Sequence, residues 1–134
     1  MNVLLDTHIV LWAISETEKL DSRLCDLLVD PDNVIYYSMA SVWEIAIKHK
    51  LHPEIMPIDE EEFVNCSEYT GFVLLPIMID HIYALKTLLR DKHAPKHNDP
   101  FDRLLIAQAK VEKLTFITHD SLIPDYHEPC VMFI

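Results

Sequence analysis

The chain has 134 residues, 11 Lys and Arg against 22 Asp and Glu for a formal charge of −11, and a single glycine, Gly71. One glycine excludes a Walker-type phosphate loop and a G-x-G-x-x-G dinucleotide turn, since both need several glycines to bring backbone N–H groups against phosphate. The acidic balance excludes a protein that coats nucleic acid without selectivity, because that affinity comes from Lys and Arg displacing counterions.

Val3-Leu4-Leu5 is a short apolar run ending at Asp6, and residues 8–13 continue it as His-Ile-Val-Leu-Trp-Ala, the pattern of a buried strand entering a helix. Leu24, Leu27 and Leu28 stand at helical spacing behind the caps Asp21 and Ser22, and Pro31 stops the run. Val34-Ile35-Tyr36-Tyr37 has the β-branched and aromatic content of a strand, and Ser38 suits the cap of a helix through Lys48. Asp59 opens an acidic helix start that resembles a capping box with Glu62. Phe72-Val73-Leu74-Leu75 reads as a third strand closed by Pro76, and a helix over about 80–90 is expected to present Ile82, Leu85, Leu88 and Leu89 on one face. A polar loop, Asp91 to Asn98, leads to Asp99-Pro100-Phe101-Asp102, a helix start with Asp99 as N-cap and Pro100 at the first helical position. Residues 115–118 and 130–134 supply a fourth and a fifth strand. Alternating strands and helices predict an α/β layer sandwich with a mainly parallel sheet of four to five strands.

The 15.6 kDa chain has the size of one domain, residues 1–134, and its 50% hydrophobic and 25% charged composition is that of a folded globular protein. Cys25, Cys66 and Cys130 are scattered and lack C-x-x-C spacing, which suits reduced thiols in the cytoplasm. No secretory signal is expected, because the first fifteen residues carry no Lys or Arg and Asp6 interrupts their apolar run. No stretch reaches the roughly 18 apolar residues of a membrane helix.

In a parallel α/β sheet, ligands bind beyond the carboxyl ends of the strands. Asp6 follows the first strand, Asp120 follows the fourth, Asp102 lies in the first turn of the helix leading to the fourth, and Glu44 lies six residues past the second. Each has a plainer reading: Asp6 and Asp99 as helix caps, Asp102 as a complement to the helix dipole, Asp120 as a turn residue, Glu44 as partner of Lys48 at i, i+4. Gathered at one edge, however, carboxylates repel and raise one another's pKa unless a cation neutralises them. Hard oxygen donors without a Cys or His set suit Mg²⁺ or Mn²⁺, and the chemistry implied is phosphodiester hydrolysis.

At these residues the chain resembles the PIN-domain ribonucleases, and among them the VapC-like toxins of type II toxin–antitoxin pairs. The resemblance is carried by Leu4-Leu5-Asp6-Thr7-His8, by residues 41–48 (Ser-Val-Trp-Glu-Ile-Ala-Ile-Lys), by residues 99–109 (Asp-Pro-Phe-Asp-Arg-Leu-Leu-Ile-Ala-Gln-Ala) and by Ile117-Thr118-His119-Asp120. It implies a PIN-like three-layer sandwich, an acidic quartet of Asp6, Glu44, Asp102 and Asp120, an auxiliary acid in Asp99, and supporting hydroxyls in Thr7 and Thr118. It further implies Mg²⁺ or Mn²⁺, an RNA substrate, a homodimer and a small cognate antitoxin. His119 stands where many relatives have a small or basic residue.

Lys48, Lys96, His97 and Arg103 lie near the proposed acids in sequence and are expected to meet RNA phosphate, with His97 alternatively orienting an acid. His93 and His97 are four apart, but Pro95 between them argues against a helical zinc pair. Two competing readings are a PIN scaffold that binds RNA or protein without cleaving, and a receiver-like signalling domain. The receiver reading requires an acceptor Asp ending the third strand, where this chain has Leu75 and Pro76.

Overall fold

Val3, Leu4 and Leu5 have no exposed surface, because the strand they form, β1 (Asn2–Leu5), is central in its sheet and covered on both faces. The computed structural model describes residues 1–134. After β1 come α1 (Thr7–Ser15), α2 (Ser22–Val29), β2 (Val34–Ser38), α3 (Met39–Leu51), α4 (Glu60–Thr70), β3 (Val73–Leu75), α5 (Ile79–Ala84), α6 (Pro100–Glu112), β4 (Thr115–Thr118) and β5 (Val131–Phe133). Short 3₁₀ turns cover Thr17–Lys19, Leu85–Thr87 and Ile123–Tyr126.

The strands pair in the order β3–β2–β1–β4–β5, every pair parallel, with Leu4 opposite Tyr36 on one side and Phe116 on the other. Period-2 alternation divides the apolar side chains between two cores. Leu4 and Phe116 pack with Leu104, Leu105 and Ala109 of α6. Val3, Leu5, Ile35, Tyr37 and Ile117 pack with Ile9, Leu24 and Phe63 of α1, α2 and α4. The three-layer α/β sandwich expected from the sequence is therefore present, with all five strands parallel.

From β1 the chain moves outward to β2 and β3, then returns across β1 to β4. The switch point lies between the carboxyl ends of β1 and β4, where an open α/β sheet forms its crevice. Gly71 serves elsewhere: it ends α4 at φ +94°, with its N–H bonded to Glu68 O at 3.0 Å, a left-handed cap for which glycine has no Cβ penalty.

The expected helix over 80–90 is shorter than its apolar spacing suggested. α5 stops at Ala84, and the tighter 3₁₀ turn that follows rotates the stripe, leaving Leu88 buried while Ile82 and Leu89 face solvent. The inward position goes to His81, fully buried because both ring nitrogens find partners: Met78 N–H at 3.0 Å on Nδ1 and Glu112 Oε1 at 2.8 Å from Nε2.

Candidate metal centre and active site

Asp6 is fixed by its place at the end of β1. Its N–H donates to Ile117 O at 2.9 Å, which ties it to β4, and its extended backbone makes it the N-cap of α1. One carboxylate oxygen accepts from Thr7 N at 2.7 Å and the other from Thr118 Oγ1 at 2.7 Å. The Thr118 hydroxyl also accepts from Asp120 N at 3.0 Å, so one side chain positions two acids across the switch point.

Asp99 Oδ1 caps α6 by accepting from Phe101 N at 2.9 Å and Asp102 N at 3.1 Å, which brings Asp102 into the first turn. On α3, Glu44 is 3% exposed. Its Oε1 accepts from Thr7 Oγ1 at 2.7 Å and its Oε2 from Lys48 Nζ at 2.5 Å. The single hydroxyl hydrogen of Thr7 goes to Glu44, so Ser41 Oγ, also 2.7 Å away, donates to Thr7. Ser38 caps α3 and hydrogen-bonds Gln108, which holds α3 against α6.

These elements enclose an open cavity of about 440 Å³. Asp6, Glu44, Asp99, Asp102 and Asp120 all line it, with Lys48 as its one Lys or Arg and Trp12, His8 and His119 completing the wall. Burial, and then the charges of Asp6, Asp99, Glu44 and Asp120, push Asp102 up to about 8. Burial also raises Asp6, outweighing the hydrogen bonds from Thr118 and Thr7. Burial alone would lower Lys48, but the hydrogen bond and charge of Glu44, with the fields of Asp99 and Asp102, carry it above its ordinary value. Five carboxylates facing one ammonium leave the cavity short of positive charge. Hard oxygen donors with that deficit fit a divalent cation such as Mg²⁺ or Mn²⁺.

The structure thus brings together Asp6, Glu44, Asp102 and Asp120, with Asp99 and Lys48 beside them and Thr7 and Thr118 in support. The remaining expected phosphate contacts stand elsewhere. Lys96 is exposed and does not line the cavity. Arg103 turns away from it: its Nη2 donates to Leu85 O at 3.2 Å and its guanidinium lies 5.9 Å from the Tyr126 ring centroid. His97 is 7% exposed and sits behind two of the acids, with Nε2 at 3.1 Å from Asp102 Oδ2 and 3.8 Å from Asp120 Oδ2. Burial lowers its pKa despite the pull of Asp120, which keeps the ring neutral. Ser41 stands in the sequence reading only as part of the 41–48 stretch, with no role assigned, and Tyr126 does not appear there. Ser41 lies one turn before Glu44 on the same helix face, a spacing that would have found it; no sequence signal marks Tyr126.

The PIN-domain family model matches residues 3–128. No curated protein matches the sequence. Among solved structures, a chain of Rickettsia felis VapBC2 bound to a DNA fragment from its promoter is similar with a TM-score of 0.68 and 17% identity, over 100% of this chain and 98% of that one. A chain of VapBC-1 from nontypeable Haemophilus influenzae is similar with a TM-score of 0.61 and 14% identity, over 96% of this chain and 100% of that one. At these identities the likeness is one of fold. With a parallel sheet of that fold, four acids at its switch point and the family model matched along nearly the whole length, the chain belongs to the PIN-domain family.

Proposed function

We propose that this protein is a Mg²⁺- or Mn²⁺-dependent endoribonuclease, the cytoplasmic toxin of a type II toxin–antitoxin pair. The observation that carries the reading is the convergence of five carboxylates on one cavity with Asp102 pushed up to about 8. Asp6, Asp102 and Asp120 would hold the ion, and Glu44 would share it or face the attacking water. When bound, the ion supplies Lewis-acid stabilisation of charge on the scissile phosphate and makes water a stronger nucleophile.

The chain's own residues do the rest. Glu44 is held by Thr7 and Lys48, which fix its orientation toward the attacking water, whose proton it would accept. Thr118 holds Asp6 and the Asp120 backbone in register. Lys48, on the cavity wall, is the nearest cation to a phosphate entering there. Lys96, on the exposed loop before α6, would meet the RNA backbone outside the cavity.

Similarity to chains of two VapBC assemblies supports a small antitoxin as partner, and the family resemblance supports a homodimer. The test is a titration of Mg²⁺ and Mn²⁺ into chelator-treated protein with a mixed RNA pool. Internal cleavage that appears with metal and vanishes with EDTA is expected. RNA binding without cleavage at any metal concentration would instead assign a silent scaffold.

A further inference from the structure

His97 carries chemistry that a carboxylate quartet does not need, and its hydrogen-bond partners suit a tautomer with Nε2 unprotonated. Tyr126 Oη has one hydrogen and donates it to the His97 carbonyl oxygen at 3.2 Å. The 2.8 Å contact between that hydroxyl and His97 Nδ1 is then a bond donated by Nδ1–H. Arg103 Nη1 approaches the same oxygen at 3.5 Å, consistent with its acting as an acceptor. A neutral imidazole with its hydrogen on Nδ1 presents a bare lone pair at Nε2.

That nitrogen lies 3.1 Å from Asp102 Oδ2, within hydrogen-bond distance, and 3.8 Å from Asp120 Oδ2, and the donor atoms of the three residues lie within 4.8 Å of one another. A cation among them would replace the proton that Asp102 and His97 share in the metal-free protein. Metal bonds of about 2.0–2.2 Å set neighbouring donors roughly 3–3.5 Å apart, so the cluster needs little rearrangement to bind. The His97 side chain is 4% exposed, and Tyr126 braces it from behind as outer partners brace metal-bound histidines. Tyr126 is itself packed under Arg90, whose guanidinium lies 4.8 Å from the ring centroid.

We propose that His97 Nε2 is a ligand of the metal centre, forming with Asp102 and Asp120 a mixed nitrogen and oxygen position that favours Mn²⁺ over Mg²⁺. The proposal rests on the metal-dependent reading above and names the donor that sets its metal preference. Imidazole binds first-row transition ions well, whereas Mg²⁺ takes oxygen donors and retains its waters. Asp6, which would hold the ion together with Asp102 and Asp120, and Glu44 line its cavity side.

The experiment is electron spin-echo spectroscopy of the Mn²⁺-loaded full-length protein, with Mn²⁺ and Mg²⁺ affinities measured by calorimetry. The wild type should show ¹⁴N coupling that changes to ¹⁵N when histidine is labelled. His97→Gln should lose the coupling and lower the Mn²⁺-over-Mg²⁺ preference by about tenfold, while His8→Gln and His119→Gln, at the cavity wall, keep it. If His97→Gln does not fold by circular dichroism, retention in both other variants assigns the nitrogen by elimination. Tight Mn²⁺ binding without histidine coupling in the wild type would overturn the proposal, making His97 a hydrogen-bond donor that positions Asp102, and would leave the metal-dependent reading standing. A wild type that neither binds Mn²⁺ nor cleaves RNA would overturn both.

Discussion

Asp102 concentrates the cost of assembling this cavity. Its folded-state pKa of about 8 lies above the roughly 3.9 of an unfolded aspartate, so between those values the folded chain holds a proton that the unfolded chain has released. Stability from this group is complete below about pH 4 and is lost as pH rises through 8. In EDTA the thermal midpoint should therefore fall between pH 5.5 and 8.5 from this contribution, and added Mn²⁺ should raise it more at pH 8.5 than at 5.5. Differential scanning fluorimetry across that range checks both; a metal effect equal at the two pH values would contradict the assignment. Asp102→Asn, which removes the charge and keeps the shape, should stabilise the metal-free protein at pH 8 by about 1–3 kcal/mol. At this scale the acids were legible because each sits at a strand end or in a first helical turn, positions that sequence marks clearly. Arg103 was less so. It adjoins Asp102 in sequence, but successive helical residues project in different directions, and its guanidinium meets Tyr126 and Leu85 instead.

Among the elements, α6 depends most visibly on one residue with two duties. Asp99 caps the helix through Phe101 and Asp102, and its charge also raises Asp102. Asp99→Ala should cost about 0.5–2 kcal/mol through the lost cap. Asp99→Ser, which keeps a capping oxygen without the charge, should recover most of that stability while lowering metal affinity as the alanine variant does. Denaturant melts and calorimetry on the pair separate cap from charge. Helix α6 was readable because Asp99, Pro100 and Asp102 announce its start. The region after β3 was not, since apolar spacing at Ile82, Leu85, Leu88 and Leu89 assumes 3.6 residues per turn and the chain switches to a 3₁₀ turn at Leu85. Spacing also could not show that a histidine would take the buried position, because His81 depends on Glu112, 31 residues away.

Across the whole molecule, the −11 charge is unevenly placed. Seven of the eleven Lys and Arg fall between residues 86 and 113, around the segment that supplies Asp99 and Asp102, and five carboxylates face the cavity itself. A divalent ion there reverses the field a phosphate meets, so RNA affinity should rise on adding metal and fall with salt. The remaining acids, Asp59 to Glu62 among them, serve solubility or, on the proposed toxin reading, would attract a basic antitoxin segment in a binding that weakens with salt. On α3, Trp43, Ile47 and Leu51 stand one turn apart and are exposed, the kind of stripe a homodimer would cover. Ile47→Glu should then give a monomer by light scattering, whereas an unchanged mass would place any dimer contact elsewhere.

The proposed cutting of RNA by the switch-point carboxylates with a divalent metal can be read by mapping the ends of a defined RNA after incubation with matched wild-type and Asp102→Asn preparations in Mn²⁺. The wild type should produce internal breaks that EDTA abolishes, and the folded Asp102→Asn protein should produce none. Equal cleavage by the two preparations would rule out Asp102 as part of the cutting site.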